Sequence, residues 1–430
     1  MLPLRDGEEV RRRWSGRLLA QEKVAARVRA IVADVKAAGQ AAVERYTREL
    51  DGVDLQAAGF RVTREEVEAA FQAVPDHLVQ AISKARDNIE AYHRREWKGS
   101  WMETDKTGTI LGQLCRPLGR VGLYVPGGTA AYPSSVLMTA VPARVAGVAE
   151  LALATPPRRD GTLPPLLLVA ASVAGVEEIY KMGGAQAVAA LAYGTEKVPP
   201  VDKIAGPGNI YVTLAKKEVY GQVDIDMLAG PSEIVVIADG NARPEWVAAD
   251  LLSQAEHDNL AGAVLITPDA GLARAVVAAV DRQLATLPRR EIASRSLEDY
   301  GAAVVAADLE VALDLANNLA PEHLELYVTD PWGLVGQVEN AGAIFLGPYS
   351  SEPLGDYLAG PSHVLPTGGT ARFYSPLSVA TFMKRSSLIA ASPAYLQAAG
   401  GFIQDLARAE GLEAHAQAIA LRVGEGGSSQ

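Results

Sequence analysis

The chain has a single cysteine, Cys115, in 430 residues, so it can form no internal disulfide and cannot build a cysteine-based metal cluster. Basic charge is outnumbered by acidic charge, 40 Lys and Arg against 51 Asp and Glu. The net charge of −11 argues against a nucleic-acid backbone as partner, because that affinity rests on clustered Lys and Arg. The one basic run, RRRW at positions 11–14, reads as a solvated helix face. Long apolar runs are missing. The longest, LPPLLLVAASVAGV, is interrupted by prolines and falls short of the ~18–20 residues that span a bilayer. The opening MLPLRDGEEV is too charged for a secretory signal, which leaves a soluble cytoplasmic protein as the expectation. No GxGxxG follows a strand, and GxxxxGK[ST] and HExxH are absent. The usual shortcuts to a nucleotide or zinc enzyme therefore do not apply.

What is present supports a sizeable core: 49% hydrophobic against 21% charged residues. The length suggests about three domains, or two with appendages. The first hundred residues read as helical. Val24, Val28, Ile31, Val32 and Val35 recur at helical spacing, and Thr63 with Glu66 forms a capping-box pattern ahead of REEVEAAFQAV, which Pro75 ends. From Thr109 short apolar runs alternate with helical segments. One series runs from GRVGLYVP to NIYVTLAKKEVYG and a second from SEIVVIAD to GAIFLG. Two successive β-α series imply two α/β units with buried, largely parallel sheets. The expected division is an arm at 1–22, one α/β domain from 23–108 with 233–373, a second at 109–232, and a helical tail at 374–430. The loop-like stretch after Gly347 is long enough to suggest function. A tail without its own core should dock on something, such as a second subunit.

Six histidines are available. His77 and His93 sit among ordinary charged neighbours and read as structural. The others stand in the polar contexts SQAEHD, PEHLE, GPSHV and LEAHA. Gln254 and His257 are three apart on an expected helix, so one face can offer both to a single ion. Asp356 can add an oxygen and His415 a nitrogen. A mixed N and O set without thiolate suits Zn²⁺ or another first-row metal. Glu256 precedes His257 in the wrong order to serve as its base. Gly206, Pro207 and Gly208 stand at a strand-to-helix turn where backbone amides can receive a pyrophosphate, and Gly127 with Gly128 marks a second such turn. Tight structural turns explain either equally well. Glu322 and His323 set an acid beside an imidazole in apolar surroundings, just after Pro321.

Taken together the motifs resemble the histidinol dehydrogenase family. The stretches are GLYVPGGTAAYPSSVLM, GGAQAVAALAYGT, KIAGPGNIYVTLAKK, DMLAGPSEIVVIAD, DLLSQAEHD, LAPEHLEL, GDYLAGPSHVLPT, ARFYSPLSV and EGLEAHA. They occur in family order over roughly residues 20 to 420. Ser362 departs from the Asn common before His363. The resemblance implies an α/β protein with two incomplete Rossmann-like domains. It implies zinc-dependent, four-electron oxidation of L-histidinol to L-histidine through an aldehyde with two NAD⁺. By motif, Gln254, His257, Asp356 and His415 would hold Zn²⁺, with His415 and Glu410 supplied by the partner in a homodimer. Ser232 and His363 would line the substrate pocket along with Glu410, His323 and the zinc ligands. Tyr124, Gln186 and Asn209 would contact NAD⁺. His323 would take hydroxyl protons and Glu322 would activate water. Three rivals are a related dehydrogenase for another polar alcohol such as sulfopropanediol, a zinc hydrolase that uses no nucleotide, and a metal-stabilised dimer without activity.

Overall fold

A computed structural model describes residues 2–16, 22–127 and 132–425. Gly128 of the second glycine turn, part of the expected N-terminal arm and the last residues of the tail lie outside them. The chain divides into two units, Met1–Glu96 with Leu118–Phe382, and Trp97–Pro117 with Met383–Gln430.

The larger unit holds two five-stranded sheets, both wholly parallel. Chain order also numbers two strands of the smaller unit, β1 (Trp101–Thr104) and β2 (Ile110–Pro117). The first parallel sheet comprises β3 (Arg120–Tyr124), β4 (Glu150–Thr155), β5 (Glu178–Lys181), β6 (Lys203–Ala205) and β7 (Asp224–Ile225). The second comprises β8 (Glu233–Ala238), β9 (Gly262–Thr267), β10 (Ala302–Val305), β11 (His323–Tyr327) and β12 (Ala343–Leu346). Their spatial orders are β5-β4-β3-β6-β7 and β10-β9-β8-β11-β12. Each is thus 3-2-1-4-5 in its own chain order, a dinucleotide-binding sheet short of its sixth strand. The central strands are apolar on both faces because helices cover both. Leu123, Leu153, Val235, Val236 and Leu324 are all fully buried.

The helix Glu22–Tyr46 inserts Val28, Ile31, Val32 and Val35 into one core with the helices Gly184–Tyr193 and Ile210–Val219. That packing sets this helix against helices of the first parallel sheet. An amphipathic stripe shows that a helix needs an apolar surface but not which one. The capping box at Thr63 and Glu66 forms, opening Arg64–Ala73, and Pro75 caps the next helix, Asp76–His93. His93 is buried with Nδ1 2.7 Å from Glu96, in keeping with a structural role. None of the described helices is long and apolar enough to cross a membrane.

In the smaller unit β13 (Met383–Ala390) completes an antiparallel sheet, β1-β2-β13. The helices Pro393–Ala409 and Glu413–Glu425 follow. The region 374–430 therefore carries a strand before its helices. MKRSSLIA lacks the clean alternation that marks a half-buried strand, and backbone pairing to β2 fixes it instead.

Candidate active site

Glu322 and His323 sit at the amino edge of the second parallel sheet. The helix Leu309–Leu319 ends at Ala320, which has φ 46° and is the sole non-glycine with positive φ among the described residues. Such a conformation costs roughly 1–2 kcal/mol and is commonly retained at functional sites. It turns the chain through Pro321 so that His323 opens β11 between Ile234 of β8 and Ala343 of β12.

Neighbours inside a strand point apart, but Glu322 lies just before the strand, and both side chains are tied to the same residue. The Glu233 N–H donates to Glu322 Oε2 at 2.9 Å, and His323 Nδ1 lies 2.9 Å from the Glu233 carbonyl oxygen. A carbonyl only accepts, so Nδ1 carries the proton and Nε2 is left with its lone pair. Burial lowers His323 to about 4 and so keeps the ring neutral, with the Nε2 lone pair free. Burial, and then the charge of Glu233, drives Glu322 well above the usual carboxylate range.

Around this pair gather the candidate metal ligands. Gln254 lies in the last turn of Pro244–Ala255, fully buried, with neither amide atom hydrogen-bonded. A buried primary amide left without partners is costly and points to a missing ligand. His257 follows three residues on. The ligating atoms of His257, Glu352 and Asp356 all lie within 4.8 Å of one another. Asp356 stands on the short helix Glu352–Tyr357, with Oδ1 3.5 Å from His363 Nδ1. Burial works to raise Asp356, but His363 and then His323 outweigh it and bring it to about 2, so it is a carboxylate. Nitrogen and oxygen donors without sulfur, beside an orphaned amide, fit a first-row divalent metal such as Zn²⁺.

Glu352 and Glu233 were not singled out from sequence. Glu352 is buried and pushed up to about 9 by burial and by Asp356. Its spacing of four from Asp356 on one helix face was the available signal. Behind it Glu325, two residues along β11 from His323, accepts from the Glu352 N–H at 2.9 Å.

Ser232 immediately precedes β8, and its carbonyl accepts from Gly262. His363 Nε2 is 3.3 Å from Ser135 Oγ, and Ser362 Oγ donates to the Met138 carbonyl at 3.2 Å. Both partners belong to Pro133–Ala146, the helix after β3. The loop that carries His363 beside Asp356 therefore reaches the helix that follows β3. His415 and Glu410 are exposed residues of the C-terminal unit, not of the unit that carries the other candidates.

The carboxyl edge of the first sheet brings together Tyr124, Gln186 and Asn209. Tyr124 ends β3, and its hydroxyl accepts from the Gly184 N–H at 3.0 Å. Gln186 is buried in the first turn of the next helix, with Oε1 unpartnered. Asn209 caps Ile210–Val219, accepting from Tyr211 and Val212. Gly206, which follows β6, has φ 116°, and a Cβ there would lie 2.1 Å from the Tyr124 carbonyl oxygen. Only glycine fits. Its N–H donates to Asp226 at 2.7 Å, its carbonyl accepts from Lys216 at 3.1 Å, and Lys216 and Asp226 form a buried ion pair. This is the crossover point of the strand order, where such sheets bind nucleotides.

The histidinol dehydrogenase family model matches residues 16–423. The histidinol dehydrogenase of Moorella thermoacetica is 82% identical over 98% of this chain and all of its own length. That of Bacillus subtilis is 56% identical over 92% of each. The crystal structure of histidinol dehydrogenase from Elizabethkingia anophelis superposes with a TM-score of 0.90 at 39% identity, covering 93% of this chain and 92% of that one. The chain belongs to the histidinol dehydrogenase family.

Proposed function

We propose, proceeding from membership of the histidinol dehydrogenase family and hence from an oxidoreductase, that the chain oxidises L-histidinol to L-histidine through the aldehyde, with Zn²⁺ and two NAD⁺. The observation that carries this is the gathering of these side chains. An orphaned Gln254 amide stands three residues before His257, whose ring lies close to Asp356 and within electrostatic reach of a neutral His323, and His363 beside Asp356 reaches Ser135 on the helix that follows β3. Gln254, His257 and Asp356 would hold the metal, with His415 of a second subunit. When bound, Zn²⁺ supplies a template that fixes the substrate's nitrogens and so its alcohol carbon.

The chain's own residues do the rest. His323 Nε2 would accept the hydroxyl proton of the substrate, and NAD⁺, when bound, would supply the hydride acceptor. Ser232, His363 and Glu410 orient the substrate. Tyr124, Gln186 and Asn209 hold NAD⁺. In the second oxidation Glu322 takes the proton of the water that hydrates the aldehyde, and His323 again accepts a hydroxyl proton. The carboxylate form of Glu322 that this step needs is favoured by a cation bound nearby. The homodimer that brings Glu410 and His415 is supported by the exposed apolar residues Ile389, Phe402 and Leu406 of the C-terminal unit.

Turnover of histidinol with NAD⁺ tests the reading by counting NADH per substrate consumed. Two NADH are expected, with turnover lost on chelation and restored by Zn²⁺. One NADH with released aldehyde, or full activity in a verified metal-free protein, would contradict it.

A further inference from the structure

Asp51 has no role in the site as described, yet its position calls for a partner. It ends the turn Thr47–Asp51, after which Gly52, at φ 74°, redirects the chain so that Val53 and Leu55 enter the core of the first sheet. Asp51 Oδ2 is buried and has no hydrogen-bond partner. Nothing compensates this burial, which pushes the carboxyl up to about 6. The residue as a whole is half-buried, and a carboxylate oxygen shut away without a partner is costly to keep unless a ligand satisfies it.

Its neighbourhood indicates which ligand. Val53 shares a core with Tyr124 at the end of β3 and Ala154 near the end of β4. Gly161, in the connection after β4, lies against Val53 and Ala58. The charge of Asp51 is felt at the Tyr124 hydroxyl. Asp51 therefore stands by the carboxyl ends of the first and second strands of the sheet. Three more buried polar atoms there are unpartnered: Thr47 Oγ1 on the same turn, Thr155 Oγ1 at the end of β4, and Gln186 Oε1. In sheets of this order an acid at the end of the second strand accepts from the ribose hydroxyl of NAD. Here β4 runs out into Thr155, Pro156, Pro157 and Arg158, with no acid. The next one, Asp160, is exposed and already accepts from Thr162 N and Oγ1.

We infer that Asp51, delivered from the N-terminal helical segment, accepts hydrogen bonds from the adenosine ribose diol of NAD⁺ and discriminates against the 2′-phosphate of NADP⁺. This rests on the proposed binding of NAD⁺ at the Gly206 turn.

Asp51→Asn and Asp51→Ser test it in the full-length, zinc-loaded enzyme. Loss of a hydrogen bond to a charged group should raise KM for NAD⁺ about tenfold or more. The kcat at saturating NAD⁺ should stay within about twofold, because the ribose contact is made equally in ground and transition states. Inhibition by ADP-ribose should weaken with KM while inhibition by nicotinamide mononucleotide does not, and the preference for NAD⁺ over NADP⁺ should narrow. Thermal stability should hold or rise, since an unpaired buried charge is removed. A folded Asp51→Asn enzyme with unchanged KM for NAD⁺ and unchanged ADP-ribose inhibition would overturn the ribose assignment while leaving the NAD⁺ reading intact. A wild-type enzyme that fails to reduce NAD⁺ with histidinol would overturn that reading and this inference together.

Discussion

The two parallel sheets share one strand order, and in the proposed reading they use opposite edges. In the first, Gly206 presses its backbone onto Tyr124 at the carboxyl edge, braced by buried Lys216 and Asp226, and this is the edge proposed to take NAD⁺. In the second, the same edge is tied shut. Asp239 Oδ2 accepts from Thr329 N at 2.6 Å and Oγ1 at 2.7 Å, and Oδ1 accepts from Asn241 N, linking the ends of β8 and β11. A carboxylate in that crevice repels phosphate. The second sheet instead offers its amino edge, where Glu233 orients Glu322 and His323. Topology places a crevice, but the side chains at each strand end decide which crevice is used.

The largest effect should come from the amino edge of the second sheet. His323→Asn should lower kcat by about 10²–10⁴, the usual contribution of a general base, for both the alcohol and the aldehyde, followed as NADH formation. A drop below about tenfold would place the proton acceptor elsewhere. Glu322→Gln should chiefly slow aldehyde oxidation, and equal slowing of both substrates would remove the division of labour.

Next comes the brace at the first sheet's carboxyl edge. Lys216→Met leaves Asp226 as an uncompensated buried charge and should destabilise by about 3–5 kcal/mol in urea unfolding. The double variant Lys216→Met/Asp226→Leu should recover most of that stability while keeping a raised KM for NAD⁺, because Gly206 loses both supports. A double variant with wild-type KM would detach the brace from cofactor binding.

The smallest effect belongs to the closed edge. Asp239→Asn should cost about 1 kcal/mol and leave KM for NAD⁺ unchanged. Burial works to raise Asp239, but the Thr329 and Asn241 hydrogen bonds outweigh it and hold the carboxyl below its ordinary value. Its stabilisation is therefore full above the ordinary aspartate range and is lost as pH falls through the lowered value. The stability gap between wild type and Asp239→Asn should close in acid. A raised KM for NAD⁺ would show that this edge does bind nucleotide.

The alternation of apolar runs with helical spacing made both α/β units legible, and motif order made the family legible. The repeated 3-2-1-4-5 order was not, because buried strands are specified by apolarity and share no sequence that would betray a repeat. Gln254 and His257 were legible through their spacing. The convergence of Glu322 and His323 was not, since it depends on the left-handed backbone at Ala320 and on the distant peptide of Glu233. Glu352 and Asp51 read like any solvated loop acid until burial set them apart. The core that Glu22–Tyr46 joins was not legible, because an apolar stripe names no partner.

The account turns on where the cofactor sits relative to the two edges. A crystal structure with NAD⁺ and Zn²⁺ tests this most directly. The pyrophosphate should lie on the Gly206 turn of the first sheet with the nicotinamide reaching toward His323. Density for NAD⁺ at Asp239 and Thr329, on the carboxyl edge of the second sheet, would contradict it.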